Sequence, residues 1–261
     1  MKKREEILNN FILDRLQGEK PLNVQFVTKK NISSLNEWQD IPSVSVTDDN
    51  IKAVKNSDFI IISVQPNQFE KIANEIKSSI TKRHTIISTI TGLSINSIES
   101  VIGSEMSIVR SMPNTAISVG KSMTCLCCNT AGEKRIAIAE AIFNGLGTTI
   151  QIEEKQMQAA TVVCASGIAF WMRLIRATTQ GGVQMGFDAD ESMRMSMFTA
   201  LGAASLLIET DSHPETEIDK VTTPQGCTIT GLNEMEHQGL SSSLIKGLMA
   251  SFEKINEIKI Q

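Results

Sequence analysis

A chain of 261 residues, 41% of them apolar, is long enough to close one large domain or two small ones around a full core. Its formal charge of −4 arises from 29 acidic against 25 basic residues. No basic patch of the kind that grips a phosphate backbone stands out, so no nucleic-acid partner is expected.

The chain opens on MKKREEILNNF, where Glu5 and Glu6 follow the basic residues in place of the apolar run a secretory leader needs. No stretch approaches roughly 18 apolar residues, so no membrane span is expected and the location is read as cytoplasmic. Ile7, Leu8, Phe11, Ile12 and Leu16 share one face of a helix. LNVQFVT (22–28) reads as a strand, and SDFIIISV (57–64) as a stronger one, buried on both faces. Phe69, Ile72, Ala73 and Ile76 at helical spacing predict a helix over 68–78. HTIISTI (84–90) predicts a strand, Ser94 an N-cap for a helix to Val101, and MSIVRSM (106–112) a further strand. A helix over 133–144 and a strand over 147–152 complete the first half. Strands alternating with helices imply a parallel sheet with right-handed crossovers.

From Glu154 onward the periodicity is helical only. Helices are predicted over 157–164, 167–185, 189–209 (capped by Asp188 or Asp190), 228–237 and 241–258. Gly181 and Gly182 either weaken the second of these or permit close packing of another chain. The fold class is therefore α/β, with a sheet domain over 1–152 followed by an all-α domain over 153–261. The five cysteines are Cys125, Cys127, Cys128, Cys164 and Cys227. An odd count without a leader argues for reduced, half-buried strand residues, and the C-x-C-C cluster has no second Cys/His pair to hold a metal. His84, His213 and His237 are scattered, without a nucleophile and carboxylate at hand, and are read as surface or structural.

Four segments carry candidate chemistry. SVQPNQ (63–68) and TITGL (89–93) each follow a strand, at the end where open α/β sheets bind ligands. VRSMPNTAISVGKS (109–122) adds Asn114 and Thr115, side chains able to orient a carboxamide or a substrate. In IDKVTTPQGCTITGLNEME (218–236), Thr222, Thr223, Gly226, Cys227 and Thr228 form a hydroxyl-rich loop opening a helix. Helix-start amides favour a carboxylate, and the hydroxyls add donors.

These strings resemble pyrroline-5-carboxylate reductase, in consistent order from about Leu22 to the end. SDFIIISVQPNQ is similar to that family's strand end with V-K-P-Q, and SMPNT to its M-P-N-T stretch. CASGIAFWMRLIRATTQGGVQMGF (164–187) resembles a family helix, and VTTPQGCTI (221–229) its substrate loop. The resemblance implies a Rossmann-like domain followed by a helical domain that interlocks with a second subunit, as a homodimer or a ring of dimers. It implies NADPH-dependent reduction of 1-pyrroline-5-carboxylate to proline, the last step of proline biosynthesis, with NADH as an alternative cofactor. Carried over residue by residue, Thr228 is the catalytic hydroxyl. Asp211, Thr223, Gly226, Cys227 and Thr228 hold the imino acid. Val64, Gln65, Pro66, Thr91, Gly92 and Asn114 contact the cofactor. Thr28 and Lys29 after the early strand suit a 2′-phosphate better than an acidic residue would.

The sequence departs from the family pattern at its start, where no strand and G-x-G-x-x-G loop precede LNVQFVT. Either the true protein begins earlier or this is a short form that binds cofactor poorly. Gln65 replaces the V-K-P lysine, and Gln225 replaces the first glycine of P-G-G, where a positive φ would strain glutamine. The competing expectation is an impaired paralogue or non-catalytic subunit that keeps the helical dimerisation domain. A β-hydroxyacid or other imine reductase on the same scaffold fits VTTPQGCTI less well.

Overall fold

The computed structural model describes residues 25–29, 32–41 and 43–257. The helix expected over 7–16 and the expected lack of a strand and glycine loop before residue 22 fall outside the described residues. The described residues form two compact units, the first reaching Ala165 and taking up the chain again from Phe252, the second spanning Ser166–Ser251.

In the first unit, β1 (Gln25–Thr28) pairs in parallel with β2 (Val44–Thr47) as a small sheet. Leu35, Trp38 and Val44 are buried beneath it. α1 (Asn50–Lys55) begins where the Asp49 carboxylate accepts the Lys52 amide at 2.9 Å. A five-stranded sheet follows, in the order β3 (Phe59–Ile62), β4 (Thr85–Ser88), β5 (Ser107–Met112), β6 (Ser122–Cys128) and β7 (Gly147–Gln151). β3, β4 and β5 are parallel. β6 runs antiparallel to β5, and β7 runs parallel to β6. The sheet is therefore mixed rather than wholly parallel. The link from β5 to β6 carries only a short 3₁₀ turn, Thr115–Val119, and a parallel return needs a crossover of a dozen or more residues.

Alternation along the strands separates two cores. Ile86, Ile108, Cys125 and Cys127 face one side, against α2 (Pro66–Ile76) and α3 (Ile95–Ile102). Ile87, Val109 and Leu126 face the other, against α4 (Ile136–Asn144). Ser94 caps α3, its hydroxyl accepting the Ser97 amide at 3.0 Å. β2 and α1 carry no periodic signal in the sequence, because each is short and flanked by polar turns.

The helical half starts with α5 (Met157–Ala160) and passes into a π-helical turn, Thr161–Ser166. The predicted helix over 157–164 is thus α-helical for its first turn only. Met157 and Ala165 are buried in the sheet's core, which carries the first unit beyond the change of periodicity near residue 152. In the second unit, α6 (Gly167–Gln184) packs on α7 (Ala189–Thr210), whose cap is Asp188, accepting the Asp190 amide at 2.9 Å. α8 (Pro214–Val221), α9 (Cys227–His237) and α10 (Leu240–Glu257) follow. α6 and α7 meet through small polar groups. Ser192 donates to the Thr179 carbonyl at 2.8 Å, and a Cβ at Gly182 would lie 2.1 Å from the Ser192 hydroxyl. Gly182 therefore serves a contact within the chain, whereas a Cβ at Gly181 would meet nothing within 4 Å.

Among the described residues, no apolar side chain between Ser166 and Ser251 is buried, while Trp171, Met172, Phe198, Leu201 and Ile245 are exposed. The helical run Glu154–Gln184 is long and apolar enough to cross a membrane by length and composition, which the sequence reading did not anticipate.

Candidate functional site

The first unit gathers three predicted segments at one edge. Val64, Gln65 and Pro66 follow β3, Thr91 and Gly92 follow β4, and Asn114 follows β5. These strands are adjacent and parallel, so all three loops leave the sheet at its carboxyl edge. Pro66 occupies the first position of α2, where its missing N–H is not needed. The Gln65 amide donates to Gln68 Oε1 at 3.3 Å. Gly92 has φ 84°, a conformation open to glycine, so the backbone can run close to a ligand there. Thr91 Oγ1 lies 3.9 Å from Met112 Sδ.

Thr28 and Lys29 lie on the small sheet instead, at the end of β1. The Thr28 hydroxyl bonds Asn50 Oδ1, and Asn50 Nδ2 donates to Glu75 Oε1 at 3.1 Å. That relay fixes the threonine at the strand end through α1 and α2.

Asn114 has several partners. Its Oδ1 accepts the Ala116 amide at 2.9 Å, its own amide donates to Ser122 Oγ at 3.0 Å, and its Nδ2 donates to the Cys164 carbonyl at 3.1 Å. The last bond ties the M-P-N-T loop to the π-helical turn. Two further residues were not singled out as site residues from the sequence. Arg110 is 6% exposed and pairs with Glu154 at 2.7 Å. Cys164 Sγ lies 3.8 Å from Cys125 Sγ. No sequence spacing signals either pair, since the partners are 44 and 39 residues apart.

The hydroxyl-rich loop belongs to the second unit. The Gly226 amide donates to the Thr223 carbonyl at 2.9 Å, closing a four-residue turn with Pro224 and Gln225 at its centre. Gln225 has φ 60°, so this is a type II pattern with proline second and a left-handed residue third. Gly226 is the N-cap of α9, and a Cβ there would lie 2.4 Å from Thr223 Oγ1. The threonine hydroxyl is thus folded over the helix start. Cys227 and Thr228 supply the first α9 amides, with Cys227 exposed and Thr228 half-buried. Such a constellation can accept a small carboxylate. Asp211 ends α7 in the left-handed region, φ 51°, and is exposed. Of the histidines, His84 is buried, its Nδ1 accepting the Thr81 amide at 2.8 Å; His213 caps α8, accepting the Glu215 amide at 3.2 Å.

Comparison with known proteins places both halves. A family model for pyrroline-5-carboxylate reductase dimerisation matches residues 154–258, and one for NADP oxidoreductase, coenzyme F420-dependent, matches residues 10–92. Pyrroline-5-carboxylate reductase 1 of Dictyostelium discoideum is 42% identical over 97% of this chain, and the chain spans about half of that relative, 48%. Pyrroline-5-carboxylate reductase 2 of the same organism is 39% identical over 91% of this chain and 84% of its own length. A solved pyrroline-5-carboxylate reductase from Coxiella burnetii superposes with TM-score 0.88 at 28% identity, covering 96% of this chain and 94% of that one. The Plasmodium falciparum pyrroline carboxylate reductase solved with NADP bound shares the fold at TM-score 0.80, 24% identity, over 96% of this chain and 92% of its own.

Proposed function

The chain belongs to the pyrroline-5-carboxylate reductase family, and from that premise we propose that it reduces 1-pyrroline-5-carboxylate to proline with NADPH. NADH is the weaker alternative, and the reaction closes proline biosynthesis. The observation that carries the reading is the turn Thr223–Gly226, which folds a threonine hydroxyl over the start of α9.

In this reading, residues 1–152 hold the dinucleotide and 153–261 form the substrate and dimerisation domain. Val64, Gln65, Pro66, Thr91, Gly92 and Asn114 line the cofactor edge; Gly92 at φ 84° and the α2 start leave room for a close backbone approach. These residues would hold a reduced nicotinamide, whose chemistry there would be hydride donation to the C=N carbon. Thr28 and Lys29 face the 2′-phosphate. The helix-start amides of α9, with Thr223, Gly226 and Cys227, hold the substrate carboxylate, and Asp211 contributes to the same pocket. Thr228 Oγ1 hydrogen-bonds the ring nitrogen, so the electrophilic protonated imine is held in place.

Self-association belongs to the proposal. Helices with no buried apolar side chain of their own gain a core by pairing, and Trp171, Met172 and Phe198 offer the apolar surface. The pairing is with a second copy, as a homodimer or a ring of dimers, and the setting is soluble and cytoplasmic. The apolar run Glu154–Gln184 is read as core packing up to Ala165 and as interface beyond it, rather than as a membrane span.

A second reading, an impaired paralogue or non-catalytic subunit, is favoured by Gln225 in the left-handed region. Purified chain mixed with NADPH and the imine separates the two. NADPH oxidation with matching proline formation is expected; a dimer that oxidises no NADPH gives the second reading.

A further inference from the structure

Cys125 and Cys164 stand apart from every role assigned above. Cys125 is on β6 and 2% exposed; Cys164 is half-buried in the π-helical turn, beside the exposed Val163. Their sulfurs are 3.8 Å apart. A disulfide needs them at about 2.0 Å, so a closure of about 1.8 Å joins them. We propose that Cys125 and Cys164 form an oxidisable dithiol, a modification site for hydroperoxides that bridges β6 to the turn gripped by Asn114.

The chemistry divides between the two sulfurs by exposure. Cys164, the one within reach of solvent, attacks the peroxide oxygen. An S–O bond forms, the O–O bond breaks, and the departing oxygen takes the thiol proton, leaving as water or an alcohol. The Cys125 sulfur then attacks the sulfenic sulfur. The S–S bond forms, the S–O bond breaks, and the leaving hydroxide takes the Cys125 proton as water. Two electrons pass from the two thiols to one peroxide. The hydrogen bond between the sulfurs favours this order. It lowers the Cys164 thiol and, with burial, raises that of Cys125, so thiolate collects at the exposed member. The rival on the same face of β6 is Cys127, opposite Arg110, but the sulfur that meets Cys164 is that of Cys125. The bridge has a local consequence. The Cys164 carbonyl is the acceptor for Asn114 Nδ2, so drawing its sulfur toward β6 changes the turn that holds the loop after β5.

The test uses the full chain, reduced and then exposed to hydrogen peroxide. Of five alkylatable thiols, two are expected to be lost together, with the intact mass lowered by two hydrogen atoms. Digestion should yield one linked peptide pair joining Cys125 to Cys164, reversed by dithiothreitol. Cys125→Ser should convert the product into a chain carrying added oxygen at Cys164. A link through Cys127 or Cys128, or Cys125 and Cys164 both still alkylated after oxidation, overturns the proposal, and the unsubstituted protein alone suffices to show either.

Discussion

Arg110 Nη1 donates to Glu154 Oε1 at 2.7 Å, and the same carboxylate oxygen accepts the Ile95 amide at 2.6 Å. One carboxylate thus neutralises a buried cation on β5 and satisfies the first amide of α3. Glu154→Gln keeps the shape and removes the charge. A fully buried pair broken on one side costs roughly 3–5 kcal/mol. The Glu154 side chain is 33% exposed, so screening reduces the expected loss to about 2 kcal/mol. Urea unfolding measures it, and Arg110→Met placed on top of Glu154→Gln should recover part of the loss. A neutral Glu154→Gln would show the pair contributes nothing.

Gln225 at φ 60° holds a conformation that costs a side-chain-bearing residue about 1–2 kcal/mol relative to glycine. Gln225→Gly should raise stability by about 1 kcal/mol, and Gln225→Val should lower it, since a branched Cβ fits that region worst. The midpoint of denaturant unfolding reports both. If Gly and Val shift it alike, the turn relaxes and the strain is absent.

Thr228→Ala removes the hydroxyl assigned to the imine nitrogen. The expected loss in kcat/KM for the imine is on the order of tenfold or more, with NADPH affinity unchanged, because one hydrogen bond to a charged group contributes about 1.5–3 kcal/mol. Gly226→Ala should instead raise KM, because its Cβ meets Thr223 Oγ1 at 2.4 Å and displaces the carboxylate seat. Equal losses in NADPH affinity for either variant would remove the loop from the substrate site.

Two thiols have their ionisation displaced in opposite directions, Cys164 downward and Cys127 upward. Cys164 is lowered to about 7 by its hydrogen bond with Cys125, so its alkylation should reach half its maximum near that pH. Cys127 is raised from 9.0 to about 11, chiefly by burial, with Arg110 opposing the rise and Glu154 adding a smaller push upward. Its unfolded thiol ionises before the folded one does, so its contribution is complete below 9.0 and is lost as pH rises toward about 11. Cys127→Ala should flatten the fall in stability across that window, as measured by thermal unfolding at successive pH values.

Trp171 and Phe198 are 64% and 62% exposed on a unit without a buried apolar residue of its own. Trp171→Glu with Phe198→Glu should convert the assembly to monomer in sedimentation velocity and lower its melting temperature, while leaving the sheet unit's tertiary signal intact. An unchanged assembly would locate the interface elsewhere.

Much of the fold was readable from the chain because its signals are local. The apolar run at Phe59–Ile62, the helical spacing of Phe69, Ala73 and Ile76, and the cap at Ser94 each act within a few residues, while the cap of α7 is left between Asp188 and Asp190 until the structure chooses Asp188. The strain at Gln225 was signalled by the family resemblance, since glutamine stands where the P-G-G pattern has its first glycine, and the φ of 60° bears it out. The strand end at Val64–Pro66 and the hydroxyl cluster at Thr223–Thr228 were visible because their signals are local too. The direction of β6, the pairing of Arg110 with Glu154 and the approach of Cys125 to Cys164 were not. Each depends on bringing together groups tens of residues apart, and such contacts arise from how the layers pack. Sequence therefore determined which elements form and which chemistry they carry; only the tertiary structure decided which side chains meet, because long-range proximity leaves no periodic trace in the chain.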